Sequence, residues 1–82
     1  MYKNKSDAGL NNICGKRVRQ YRLDMKNVSQ RKLAEMLQIQ GLDLDKNAVQ
    51  RIESGQRFVT DIELRILAKV LNVSYQQLLD EL

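Results

Sequence analysis

Residues 41–47 read Gly41-Leu42-Asp43-Leu44-Asp45-Lys46-Asn47, and three structures compete for them. Leu42 to Asp45 alternates apolar and acidic, the pattern of a half-buried strand. Asp43, Asp45 and Asn47 stand at every second position, as the first ligands of an EF-hand calcium loop do. The third reading is a connector between two helices. The choice separates a mixed fold, a metal protein and an all-helical domain. The calcium reading fails downstream. With Asp43 as first ligand, the sixth position holds Ala48 where glycine is needed and the twelfth holds Ser54 where glutamate is needed. The strand reading has no partner strand anywhere in the chain. The connector reading explains nearly every residue. Gly41 ends one helix in the left-handed conformation and Leu42 folds back on Leu37. Asp45 caps the next helix, and Leu44 with Val49 makes the apolar staple across that cap. Asp43 alone has no assigned task.

Working outward, Ser29 is a good N-cap for a helix over 30–40, with Leu33, Ala34 and Leu37 as its buried stripe. Met36 and Ile39 lie off that stripe. Another helix is expected over 46–54, stopped by Gly55. Thr60-Asp61-Ile62-Glu63 and Ser74-Tyr75-Gln76-Gln77 are two capping boxes, a hydroxyl followed three residues later by Glu or Gln. They start helices running to about Leu71 and to near Glu81. Upstream, Leu10, Ile13, Val18, Tyr21 and Met25 share one face of a helix expected over 11–24. Gly15 inside that pattern costs about 1 kcal/mol relative to alanine, which points to a close helix contact. Residues 1–10 read as a polar N-terminal arm ahead of a single domain over 11–82. The fold class is all-α: five short helices in a compact domain, with short connections.

Composition narrows the function. The chain of 82 residues has no His, no Pro and a single cysteine, Cys14. An intrachain disulfide and a cysteine zinc site are excluded, and no metal or other cofactor is expected. Cys14 reads as a small core residue, and a cytoplasmic setting is expected. No apolar run approaches membrane-spanning length, so no membrane partner is expected. Residues 1–60 carry twelve basic and six acidic side chains; residues 61–82 carry two and four. The basic excess in the front of the chain points to a polyanionic partner there.

Wound at about 100° per residue, the 46–54 helix gathers Ala48, Val49 and Ile52 on one side. Lys46, Asn47, Gln50, Arg51 and Ser54 gather on the other. That outer face holds no carboxylate, and its side chains are the donors that pair with base edges: Lys or Arg with guanine, Asn or Gln with adenine. Glu53 falls at the boundary, where it can pair with a cation from another helix. A polar helix face is more often merely solvated. Here, however, a helix, a connector and a donor-rich helix follow one another in helix-turn-helix order.

The residues Ser29-Gln30, Leu33-Ala34-Glu35-Met36-Leu37 and Val49-Gln50-Arg51-Ile52-Glu53-Ser54-Gly55 resemble the Cro/C1-type (Xre-like) helix-turn-helix family. Ile13 to Arg22 resembles that family's first helix and Leu64 to Leu79 its closing helices, so the likeness spans about residues 12–82. The resemblance implies a five-helix lambda-repressor-like domain that binds double-stranded DNA, commonly as a homodimer. It places Lys46, Asn47, Gln50 and Arg51 at the bases. It places Ser29, Gln30 and Arg31, with Gln56 and Arg57, at backbone phosphates. It makes Arg22 and Glu53 an internal ion pair. Eleven residues, Gln38 to Ala48, separate Leu37 from Val49, about five more than the compact turn of that motif. The turn between the second and third helices is therefore enlarged.

The expected function is a sequence-specific DNA-binding transcriptional regulator, acting as a repressor. An enzyme is disfavoured, because no nucleophile-base pair, paired carboxylates or metal set is legible. The alternative is a protein-interaction module of the same fold, an antitoxin-like or dimerisation domain with weak or no specific DNA binding. It draws on the fourth helix, where Leu64, Leu67, Ala68 and Leu71 make a core stripe and Ile62, Ile66 and Val70 make a second one. That second stripe is the candidate dimer surface.

Overall fold

The computed structural model describes residues 9–26 and 28–80. Among the described residues five helices follow one another: α1 Gly15–Asp24, α2 Gln30–Ile39, α3 Lys46–Glu53, α4 Asp61–Leu71 and α5 Tyr75–Leu79. The expected polar arm lies almost wholly in residues 1–8, outside the described residues.

At four of these helices, α2 to α5, the N-cap side chain itself takes up a free backbone N–H. Ser29 Oγ accepts from Lys32 N at 3.0 Å and Asp45 Oδ1 from Ala48 N at 2.8 Å. Thr60 with Glu63, and Ser74 with Gln77, form reciprocal capping boxes. Each such cap is worth about 1 kcal/mol, a large share of what holds a short helix. At the far end of α2, Gly41 has φ +90. This turns the chain so that Gly41 N donates to Gln38 O at 2.9 Å and Leu42 N to Leu37 O at 3.0 Å. The same paired bonds close α3 at Gly55.

Residues 40–45 thus form an ordered connector. Leu44 is buried, Leu42 packs against the core, and Gln38 Nε2 donates to Leu44 O at 2.9 Å. The enlarged turn is pinned at both leucines.

α1 starts at Gly15 instead of Asn11. Asn12 takes the Gly15 N–H on its Oδ1 at 2.8 Å, and its Nδ2 donates to Ile52 O at 3.1 Å and Arg57 O at 2.6 Å. Residues 9–14 are therefore laid along the end of α3 instead of being wound into α1, and Ile13 is left exposed. α5 ends at Leu79, short of the expected Glu81, which lies outside the described residues.

The core is Cys14, Val18, Leu33, Ala34, Leu37, Leu44, Ala48, Val49, Ile52, Leu67, Ala68, Leu71 and Leu78. α2 and α3 pack on each other. α1 lies against α3, α4 and α5. Gly15 is where α1 meets α3: a Cβ there would collide with the Ile52 carbonyl oxygen. No helix among the described residues is long and apolar enough to cross a membrane.

Candidate nucleic-acid interface

α3 divides along its length. Ala48, Val49, Ile52 and Glu53 are buried, whereas Lys46, Asn47, Gln50, Arg51 and Ser54 are exposed. The side chains of Lys46, Asn47, Gln50 and Arg51 make no hydrogen bond or ion pair with the described residues. The donors of this face are therefore available to a ligand without first breaking an internal bond.

The buried half holds a carboxylate. Glu53 Oε2 accepts from Arg22 Nε at 2.6 Å, and Oε1 accepts from Arg22 Nη2 and Gln30 Nε2, each at 3.0 Å. Arg22 also donates to Val28 O at 3.0 Å. One buried anion thereby ties α1, the N-terminus of α2 and α3 together. A forked guanidinium-carboxylate pair fixes direction as well as distance.

Beside this junction is an open concavity of about 510 Å³ lined by Arg22, Ser29, Gln30, Arg31 and Lys46. Arg31 is exposed and unpaired among the described residues, and Ser29 keeps its hydroxyl proton while its oxygen caps α2. The α2 N-terminus adds free N–H groups and the positive end of its dipole. The three side chains expected at phosphates on this side and Lys46 of α3 therefore share one cationic recess.

Gln56 and Arg57 lie at the opposite end of α3 and are not brought into that recess. Gln56 is exposed, with its backbone oxygen held by Asn11 Nδ2 at 2.7 Å. Arg57 is engaged internally: Nη1 meets Glu63 Oε1 and Nη2 meets Glu63 Oε2, each at 2.9 Å, and Nη1 also donates to Phe58 O at 3.2 Å. Burial pushes the Glu63 carboxyl up, but the hydrogen bonds from Arg57 and Thr60 and the Arg57 charge outweigh it. The net pKa lies below the ordinary 4.5. Nothing in the sequence signals this pair except that Glu63 closes a capping box six residues after Arg57.

On α4, Ile62 is 68% exposed, while Ile66 and Val70 are half-buried and pack against the core. Ile62 and Ile66 line a broad groove with Gln40, Arg65, Val73 and Tyr75. Cys14 is buried, which raises its thiol to about 11 and keeps it protonated near neutral pH. The described residues contain no group of three or more His, Cys, Asp and Glu side chains placed to hold a metal ion.

A family model described as helix-turn-helix matches residues 18–78. The chain is similar to a solved structure, that of the restriction-modification controller protein C.AhdI from Aeromonas hydrophila. The two share 32% identity and a TM-score of 0.66, over 79% of this chain and 86% of that one. No curated protein matches the chain.

Proposed function

The chain belongs to the Cro/C1-type helix-turn-helix family of DNA-binding transcriptional regulators, and from that premise we propose that it reads a specific duplex sequence with α3. The observation that carries this is the divided helix: an outer face of four unpaired donor side chains on an inner face locked by Glu53. Lys46, Asn47, Gln50 and Arg51 are the base readers, entering the major groove by the N-terminal end of α3. Ser29, Gln30 and Arg31 clamp a phosphate in the cationic recess at the start of α2. Gln56 and Arg57 meet the backbone at the other end, Arg57 with its charge already shared with Glu63.

The protein works as a homodimer on two half-sites and represses transcription. The exposed Ile62 and the groove it shares with Ile66 and Tyr75 favour pairing of two copies through α4, with Val70 on the same helix. Likeness to a restriction-modification controller supports the genes of such a system as its target.

The test is binding to duplex DNA across a salt series. Phosphate contacts release counterions, so affinity falls steeply as salt rises. Arg31→Ala is expected to weaken all duplexes alike and to lower the salt slope by about 1, while Arg51→Ala mainly loses sequence preference. Absent or salt-independent binding, or equal effects of the two changes on selected and random duplexes, would overturn the reading.

A further inference from the structure

One residue of the enlarged turn has no part in ending α2 or starting α3, and that residue is Asp43. Leu44 N donates to Leu42 O at 2.9 Å, which closes a three-residue turn with Asp43 at its apex. Asp43 has no positive φ, so the turn is of the common inverse kind. Leu42 and Leu44 on either side are packed inward, and Gln38 holds the Leu44 carbonyl. Asp45, two residues on, spends its carboxylate on the α3 cap. Asp43 is exposed and has no hydrogen bond or ion pair among the described residues. A free carboxylate is thus presented on a fixed turn just ahead of the proposed base-reading helix.

We infer that Asp43 is a specificity-determining residue that accepts a hydrogen bond from the amino group of a cytosine at the edge of the major groove. The inference rests on the reading of DNA by α3. A recognition helix enters the groove by its N-terminal end, so residues immediately ahead of that end lie at the groove mouth. Asp43 precedes Lys46 by three positions, a reach of at most about 10 Å, less than the roughly 12 Å groove width. An ionised carboxylate only accepts hydrogen bonds, and the phosphates beside it repel it. The base-edge groups it can meet are amino donors, and cytosine N4 suits a carboxylate best, because adenine presents an acceptor beside its donor. The fixed turn sharpens the effect. A carboxylate on a slack loop could swing into solvent at any sequence, whereas this one is held between two anchored leucines. Sites lacking a donor there therefore carry its charge without compensation, which discriminates by repulsion as well as by attraction.

The experiment is selection of bound duplexes from a random pool with the parent, Asp43→Ala and Asp43→Asn, with a thermal melt to establish that each variant is folded. The parent is expected to select a cytosine within about three base pairs of the positions flattened by Lys46→Ala, taking 3.4 Å per step. Asp43→Ala is expected to flatten that position, a roughly tenfold loss of preference, while binding random DNA more tightly. Asp43→Asn is expected to move the preference toward adenine. Unchanged selection by Asp43→Ala, or an equal gain on every duplex, overturns the inference and leaves the reading by α3 intact. Loss of transcriptional control with unaltered selection also overturns it and assigns Asp43 to a basic protein partner. A parent that selects no sequence overturns the reading by α3 itself.

Discussion

Replacing Gly15 by alanine separates two physical effects of opposite sign. Helix propensity alone favours the change by up to about 1 kcal/mol, less at the first turn of a helix where Gly15 sits. Packing opposes it. The new methyl would collide with the Ile52 carbonyl oxygen and come within 2.8 Å of Asn12 Oδ1. Neither obstacle can swing aside cheaply. The Ile52 oxygen belongs to the α3 backbone and already accepts from Gly55 N at 3.0 Å and Asn12 Nδ2 at 3.1 Å. Asn12 in turn holds the Gly15 N–H and Arg57 O. Relief requires α1 and α3 to part by roughly an ångström, which loosens contacts along both helices.

Overpacking against backbone costs about 1–3 kcal/mol, toward the upper end where nothing flexible can yield. The net expectation is a loss of about 2 kcal/mol after the propensity gain. For a domain of this size that lowers Tm by about 8–16 °C. Because α3 is what moves, Gly15→Ala should also weaken binding to a selected duplex more than to random DNA at temperatures where it remains folded. Urea denaturation and fluorescence anisotropy read the two effects. Gly41→Ala is the control: no atom lies within 4 Å of its added Cβ, so it suffers only the left-handed strain at φ +90, about 1–2 kcal/mol, and leaves the α1–α3 contact untouched. A Gly15→Ala protein as stable as the parent, or more so, would refute the close-contact reasoning.

Glu63 is held below its ordinary pKa in the folded protein, so its stabilisation is fully present above the unfolded value of about 4.5 and is lost as pH falls through the lower folded value. Glu63→Gln should therefore be less stable at neutral pH and flatten the stability profile below about pH 4.5, read by denaturation across pH; an unchanged acid profile would count against the Arg57–Glu63 pair as its source. Ile62→Glu, at the most exposed apolar side chain of the α4 groove, should turn a dimer into a folded monomer by sedimentation; a parent already monomeric at high concentration removes the α4 interface. Glu53→Gln should cost about 3–5 kcal/mol, because it strands the buried Arg22 charge. The paired change Arg22→Met with Glu53→Leu should be neutral or stabilising by denaturation, and a pair as damaged as the single variant would contradict this.

The helix ends were legible because their causes are local. Ser29, Asp45, Thr60 and Ser74 act on backbone within three residues, and Gly41 on backbone within four. The inner face of α3 was legible from its period. The start of α1 was not, because Asn12 bonds to Ile52 and Arg57, forty and more residues away. No periodicity carries such a pairing, and the apolar spacing of Leu10 and Ile13 imitates a longer helix. The engagement of Arg57 was hidden for a related reason. Its neighbour Glu63 already has a complete local explanation as the third residue of a capping box, and the lone pairs that take the guanidinium are invisible to that account. Gly15 lay between these cases: its presence in a helical pattern announced a close approach, and only the fold identified Ile52 as the neighbour.

An eight-residue helix lies below the roughly 12–15 residues at which a helix holds itself in water. α3 also surrenders its outer half, since the side chains of Lys46, Asn47, Gln50 and Arg51 make no internal bond among the described residues. What remains is three apolar side chains, two closed ends and Glu53. Apolar residues in place of both Arg22 and Glu53 could bury as much surface and avoid desolvating two charges, so stability alone does not account for a carboxylate there. Direction does. Apolar packing tolerates rotation of a short helix about its axis, and on the proposed reading such a rotation would turn the donors of the outer face from base edges toward the groove walls. The forked bonds from Arg22 and the amide of Gln30 resist that rotation. Gln30 also lines the recess at the start of α2. On the proposed reading, a phosphate in that recess and the angle of α3 are set by the same few atoms, which would connect gripping the backbone to aiming at the bases.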